Sequence, residues 1–399
     1  MPDGPRALRP DEWSQLNELV SAVFRPEMFH DYPQLFNEQN RQNLRVVAED
    51  GKVVTHVGMT ERAATLAGCR IDVACIGAVS TYEAYRGRGF ASQAFQDCCD
   101  KAAADGIDIM LISGGRGLYT RVGCRQVGQD WDFAFDTDTV RALQPRGAGY
   151  RIVPVGAGAI PVLRSLYQRE PVRFLRRRED WEMAFACGVV MNVAADFWGV
   201  TYEGAGATAA TEGEGLVAYA IVHQPDKVRR RSAADPRLVR VVEFAGDRAA
   251  VAAALPQLLD HYGAQRVTIH VQGGDLALHR LLSQAGVAGA PAGASGTLRV
   301  INFRQLMDRC RPLLAERIGD GAAGELRFES DERPGSALGG FTIRSGGEYL
   351  RVPDLGALAC YLFGSPRREP APVEGSPRIA SLLAGALPLP ALWYGMNYV

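Results

Sequence analysis

"YEAYRGRGFASQAF", Tyr82–Phe95, puts two arginines and two glycines in four consecutive positions, Arg86-Gly87-Arg88-Gly89. Before it, Ile71-Asp72-Val73-Ala74-Cys75-Ile76-Gly77-Ala78-Val79 is an apolar run that reads as a buried strand. After it, residues 91–104 carry helical spacing. A helix N-terminus holds unpaired backbone N–H groups and a partial positive charge, so it attracts anions. Glycine lets backbone approach a phosphate and adopt positive φ, and arginine adds charge without consuming those N–H groups. The joint therefore reads as a pyrophosphate cradle or as a basic surface turn. The strand before it and the helix after it favour the cradle.

Working outward, the first segment ends near residue 145. A helix is predicted over 11–24, and strands over 44–48, 52–66 and 70–80, with turns at Glu49-Asp50-Gly51-Lys52 and Ala67-Gly68. Beyond the joint come a helix, a buried strand at 107–113, a short helix at 118–121 and a last strand at Trp131–Phe135. Residues 146–292 repeat this order more weakly. Their corresponding joint, "VVEFAGDRAAV" (241–251), has one glycine and no RGRG. Residues 293–399 differ, with "TLRVINFRQLMDRCRPLLAERI" as a strand and an amphipathic helix, then two strands and a helix beginning after Asp354. The predicted class is α/β (α+β) in three domains, 1–145, 146–292 and 293–399.

The length of 399 residues agrees with two or three domains. The net charge of -1 gives no long-range pull toward nucleic acid or an anionic membrane, so neither is an expected partner. Arg176-Arg177-Arg178 and Arg229-Arg230-Arg231 read as solvated faces or ion-pair partners. No apolar run is long enough to span a bilayer, and "MPDGPRALRPDEW" at the start shows no secretory signal, so a cytoplasmic location is expected. The eight cysteines form no CxxC pair and read as reduced, packed thiols. The six histidines show no metal-ligand spacing, so no metal is expected.

With its flanking elements, the joint resembles the signature of the GNAT acetyltransferase superfamily, Arg/Gln-x-x-Gly-x-Gly/Ala, with Arg86, Gly89 and Ala91 at the defined positions. The resemblance implies acetyl-CoA as co-substrate. Backbone of Val79, Ser80 and Thr81 would hold the pantetheine, and Arg86, Gly87, Arg88, Gly89, Phe90, Ala91 and Ser92 the pyrophosphate. Gly114 and Gly115 would lie beside the cofactor. Glu83 departs from the family, which often has proline there. The stretch "ISGGRGLYTRVGCRQVG" (112–128) puts Tyr119 where many members keep a tyrosine that protonates the CoA thiolate. A packed aromatic is the other reading. Cys124 sits where an aromatic is usual, with no His or Asp pattern to activate it as a nucleophile.

One intact unit, one degenerate unit and an α+β tail resemble the Eis (enhanced intracellular survival) acetyltransferases, whose last domain is similar to a sterol carrier protein. That resemblance implies that the terminal carboxylate, here Val399, enters the first domain's site as the base. A free α-carboxyl has a pKa of about 3.5, far below an ammonium near ~10. The carboxylate could instead orient the amine while water or Glu83 takes the proton. "LWYGMNYV" is apolar enough to be buried. Phe29, His30, Tyr32, Leu35 and Phe36 fall where the family's first helices border the acceptor. The expected activity is N-acetylation of a primary amine (aminoglycoside-like, polyamine or lysine/peptide) in a ternary complex. A homo-oligomer, a hexamer by resemblance, is also implied. The alternative is a module that senses acyl-CoA or binds a hydrophobic ligand without turnover.

Overall fold

The apolar alternation over 52–81 becomes one long antiparallel hairpin in the computed structural model, which describes residues 1–143, 149–202, 212–228, 235, 237–331 and 340–399. Ala67 and Gly68 turn it, both at positive φ (48° and 89°), the twist a two-residue hairpin turn requires. In chain order the strands are β1 (Asp3–Ala7), β2 (Leu44–Glu49), β3 (Lys52–Leu66), β4 (Cys69–Thr81), β5 (Ile109–Ile112), β6 (Asp130–Asp136), β7 (Tyr150–Pro154), β8 (Val172–Phe174), β9 (Val189–Val190), β10 (Val193–Tyr202), β11 (Leu216–Val228), β12 (Leu238–Gly246), β13 (Arg266–Val271), β14 (Ala290–Ala292) and β15 (Thr297–Val300).

Two mixed sheets form, ordered β1-β2-β3-β4-β5-β15 and β14-β6-β13-β12-β11-β10-β7. Along these paths all neighbours are antiparallel except one pair in each, β4·β5 and β12·β13. A parallel pair needs a crossover. The crossover of the first sheet carries the helix Phe90–Ala104, and that of the second the helix Arg248–His261. The chain forms two compact units. One holds 1–128, 294–392 and 397–399, the other 129–293 and 393–396.

The sequence reading closes the first segment with Trp131–Phe135 and opens the third with Thr297–Val300. The structure corrects both. β6 pairs with β13 in the second unit, so the first break falls after Gly128 rather than at 145, and β15 pairs with β5, so residues 294–392 join the first unit. Phe133 and Phe135 are buried among Leu255, Leu258 and Ile269 of the second core. Alternating apolar residues specify a strand with one buried face, but not which sheet edge it finds.

The α-helices of residues 1–128 are α1 (Trp13–Val23), α2 (Met28–Asp31), α3 (Phe90–Ala104) and α4 (Gly117–Thr120). Ala94, Phe95, Cys98, Cys99 and Ala102 recur at helical spacing on α3 and pack on Val54, Val57, Ile76 and Met110. Full burial of a side chain such as Phe95 contributes about 1.5–3 kcal/mol. α1 buries Leu16, Leu19 and Val20. The single amphipathic helix predicted after the strand of that stretch is broken in two, Phe303–Arg309 and Arg311–Ile318, with Pro312 at the second start, a position that tolerates its missing N–H. The strands Arg327–Ser330, Phe341–Ser345, Glu348–Val352 and Glu374–Gly375 make a third sheet. The helix Leu355–Phe363 is capped by the Asp354 side chain, which accepts from the Ala357 N–H at 2.9 Å.

Candidate acyl-CoA and acceptor site

β4 and β5 pair only from Val73↔Ile109 to Ile76↔Ile112. Beyond Ile76, β4 continues to Thr81 without β5 beside it. Its register against β3 also slips between His56 and Gly58, and Ala78 takes φ 50°. This bulge turns the strand end away from the regular ladder. His56 meets the Ala78 carbonyl through Nδ1 at 3.0 Å. Burial pushes the imidazole pKa down to about 4, so near neutral pH the ring is neutral and donates Nδ1–H to that carbonyl. Ser80 Oγ and His56 Nε2 are buried polar atoms without a hydrogen-bond partner among the described residues. Such orphans are rare in folded proteins and call for an explanation, such as a ligand.

The joint follows. Gly87 and Gly89 have φ of 77° and 83°, and no protein atom lies within 4 Å of where a Gly87 side chain would begin. Gly89 is the N-cap of α3, and no side chain caps this end. Phe90, Ala91 and Ser92 form its first turn. An uncapped turn of a fifteen-residue helix beside two unobstructed glycines suits a diphosphate. The two arginines differ. Arg88 is held by Glu49 at 2.6 and 2.5 Å and lies over the Phe90 ring, 4.7 Å from its centre. Arg86 is exposed, and its Nε makes a long contact of 3.4 Å to the Thr81 carbonyl. The Thr81 hydroxyl meets that of Thr55 at 3.1 Å, and Val79 packs against the α3 core. Glu83 is exposed.

Tyr119 lies on α4, 4% exposed, with its ring centre 5.4 Å from that of Phe95. Burial pushes its pKa up to about 12, Arg116 opposing and Cys124 and Tyr398 adding to the shift. Gly114 lies against the Tyr119 ring, and its carbonyl accepts from Thr297 Oγ1 at 3.0 Å. Gly115 is exposed. Val399 is buried, and a side chain at Gly77 would collide with its terminal carboxyl. The Tyr398 carbonyl accepts from Gln34 Nε2 at 3.3 Å. Val399 therefore sits one residue past the last β4·β5 pair. Burial drives the Cys124 thiol up to about 12, which removes it as a thiolate nucleophile.

Beside these groups runs an aromatic row. Phe29 stacks on Phe36 at 4.2 Å, Trp13 meets Phe29 edge-on at 6.0 Å, and Phe36 lies 5.9 Å from the His56 ring. Leu35 and Tyr32 are buried, whereas His30 is exposed and 3.4 Å from the buried Asp31 carboxylate.

Sequence reasoning passes over His56, Gly77, Glu49 and Thr297. Gly77 carries a signal, since a glycine inside an apolar strand marks a close backbone approach. Arg176 is buried and paired with Glu243 at 2.6 and 2.7 Å, so of the two readings of that basic run the ion pair applies to it. Arg229-Arg230-Arg231 lies outside the described residues. Among the described residues no three His, Cys, Asp or Glu gather as metal ligands, and no helix is long and apolar enough to cross a membrane.

Residues 5–127 match the acetyltransferase (GNAT) domain family. None of the curated protein sequences compared with the chain matches it. Solved structures resemble it at low identity. A GCN5-related N-acetyltransferase from Anabaena variabilis is 16% identical with a TM-score of 0.66, covering 98% of this chain and 99% of its own. One from Kribbella flavida is 14% identical at 0.62, covering 98% and 97%. Eis1 from Mycobacterium abscessus is 15% identical at 0.60, covering 96% of each. At such identities these likenesses speak for the fold, whereas the match over 5–127 falls on the strands and the joint just described. Those residues form an acetyltransferase (GNAT) domain, the domain of an acyltransferase.

Proposed function

We propose that the chain transfers an acetyl group from acetyl-CoA to a primary amine by direct attack in a ternary complex. GNAT domains use acyl-CoA, and the uncapped α3 turn, the open glycines and exposed Arg86 suit its diphosphate. The observation that carries the reading is Val399 seated on Gly77 where β4 and β5 part. Backbone N–H groups past Ile76 would polarise the thioester carbonyl. Tyr119, with its pKa pushed up to about 12, stays protonated and gives its proton to the departing CoA thiolate. The buried Val399 carboxylate takes the amine proton. The aromatic row from Trp13 to His56 would border an acceptor with an apolar face.

The reading extends to the rest of the chain. The second unit would be a GNAT copy without the cofactor joint. Its one parallel pair and crossover helix follow the first unit, but its helix start is capped by Asp247, and Arg248 is bound to Glu170 and Asp275. A sterol-carrier-like role for 303–399, a homo-oligomer (a hexamer by resemblance to the Eis group) and a cytoplasmic location belong to the same proposal.

The experiment is thiol release from acetyl-CoA across a panel of aminoglycoside, polyamine and peptide amines. Tyr119→Phe is expected to lower kcat by about 10²-fold, in the range of general acid catalysis. Binding of acetyl-CoA with no thiol release from any amine would leave acyl-CoA sensing as the function.

A further inference from the structure

Two cysteines from distant stretches of the chain meet inside the first unit. Cys69 opens β4, directly after the Ala67-Gly68 turn of the long hairpin. Cys310 lies between the helices Phe303–Arg309 and Arg311–Ile318, as the end cap of one and the start cap of the other. Both helices lie against β4. The two thiols are within hydrogen-bond reach of each other, and the backbone N–H of Leu313, in the first turn of the second helix, also reaches the Cys69 sulfur.

The pair is asymmetric. The Cys310 thiol and the Leu313 N–H both donate to Cys69, and together they bring its pKa down to about 6 against the opposing effect of burial. The same hydrogen bond, together with burial, pushes Cys310 up. Burial alone drives the thiols of Cys75, Cys98, Cys99 and Cys124 upward. A thiolate reacts with oxidants where a thiol does not, and a second thiol beside it converts the product to a disulfide. Cys69 is 4% exposed, yet its neighbours Gly68 and Arg70 are exposed, as are Pro312 and Glu316 on the facing helix, so its sulfur lies just under the surface.

We propose that Cys69 and Cys310 are a modification site, a dithiol that hydrogen peroxide converts to a disulfide tying the turn end of the β3–β4 hairpin to the helix Arg311–Ile318. The Cys69 thiolate attacks one peroxide oxygen, the O–O bond breaks, and the departing hydroxide takes a proton from solvent and leaves as water. The Cys310 sulfur then attacks the sulfenic sulfur of Cys69. Its thiol proton and the sulfenic hydroxyl depart as a second water while the S–S bond forms. Two thiols give up two electrons and one peroxide takes them. The step draws on nothing in the acetyl transfer.

The test treats the folded, full-length protein with hydrogen peroxide at neutral pH, blocks the remaining thiols and maps the peptides without reduction. A peptide linking Cys69 to Cys310 is expected, with the free thiol count falling by two. The disulfide should raise the thermal midpoint by several degrees, and a reductant should reverse the rise. Cys310→Ser should stop at the sulfenic acid, so that a dimedone probe labels Cys69 at least ~10-fold more than any other cysteine, as its thiolate fraction requires. Cys69→Ser should leave Cys310 unlabelled and unlinked. Thermal melts of both variants in the reduced state show that they fold, and the wild-type linkage is read without them. Linkage of a different pair overturns the proposal, as does an unchanged thiol count at a peroxide dose that oxidises free glutathione. So does equal labelling of Cys69 and Cys310 in the two variants, or a linkage that forms only after the protein is melted.

Discussion

Gly77 matters for what it lacks. The Val399 carboxyl occupies the space a side chain would need, so Gly77→Ala must move the carboxyl or the strand. We expect Gly77→Ala to lower kcat at least ~10-fold, since a small displacement of a reacting group is costly, while acetyl-CoA binding by calorimetry stays within about twofold. Tyr119 makes a pH prediction. With its pKa at about 12, its acid form persists through alkaline pH, so kcat should show no falling limb from this group below about pH 10. His56 makes another. Its folded pKa, about 4, lies below its ordinary 6.5, so the unfolded chain binds the proton more readily. The stability that neutral His56 contributes is present above pH 6.5 and is lost as pH falls toward 4. Thermal melts of the wild type across that window should show a steeper acid-side loss than those of His56→Gln, which keeps an amide donor for the Ala78 carbonyl and does not titrate.

At the scale of the element, the joint between β4 and α3 is where sequence and structure speak most directly to each other. Its glycines, its helix start and the apolar strand before it are all local properties, so a short stretch announces them. Gly89→Glu should abolish acetyl-CoA binding in a calorimeter, because it sets a carboxylate at a helix start meant for phosphate. The two arginines look equivalent in the sequence and are not equivalent in the fold. Arg88 is committed to Glu49, a residue far off in the chain, whereas Arg86 is exposed. Arg86→Ala is expected to weaken acetyl-CoA affinity about tenfold, the scale of one charged hydrogen bond, and Arg88→Ala by less. The reverse order would mean that Arg88 leaves Glu49 when the cofactor arrives. That Val399 lies against Gly77 in particular, the bulge at Ala78 and the donor on His56 were not legible in the residue pattern. Each depends on which residues meet across the fold, and periodicity carries no such information.

For the whole chain, the sequence conveyed the kinds and order of elements better than it conveyed ownership. β6 and β15 show why. Each is a short strand with the right alternation for a sheet edge, and only tertiary pairing decides which edge. A fragment ending at residue 145 would hold Phe133 and Phe135 without the core that buries them and would leave β5 without β15. We expect that fragment to aggregate on size exclusion, because an open strand edge with exposed aromatics templates association.

The placement of β15 also fixes an order in time. Residues 129–293 can pair all seven strands of the β14-to-β7 path once they have left the ribosome, while β5 must wait for Thr297–Val300. At ~5–20 residues per second, the delay between the end of the first stretch and the arrival of its closing strand is roughly ten to thirty seconds. The half of the molecule that is synthesised first is therefore the half that finishes folding last, and in that interval its sheet edge is the surface a chaperone would have to cover.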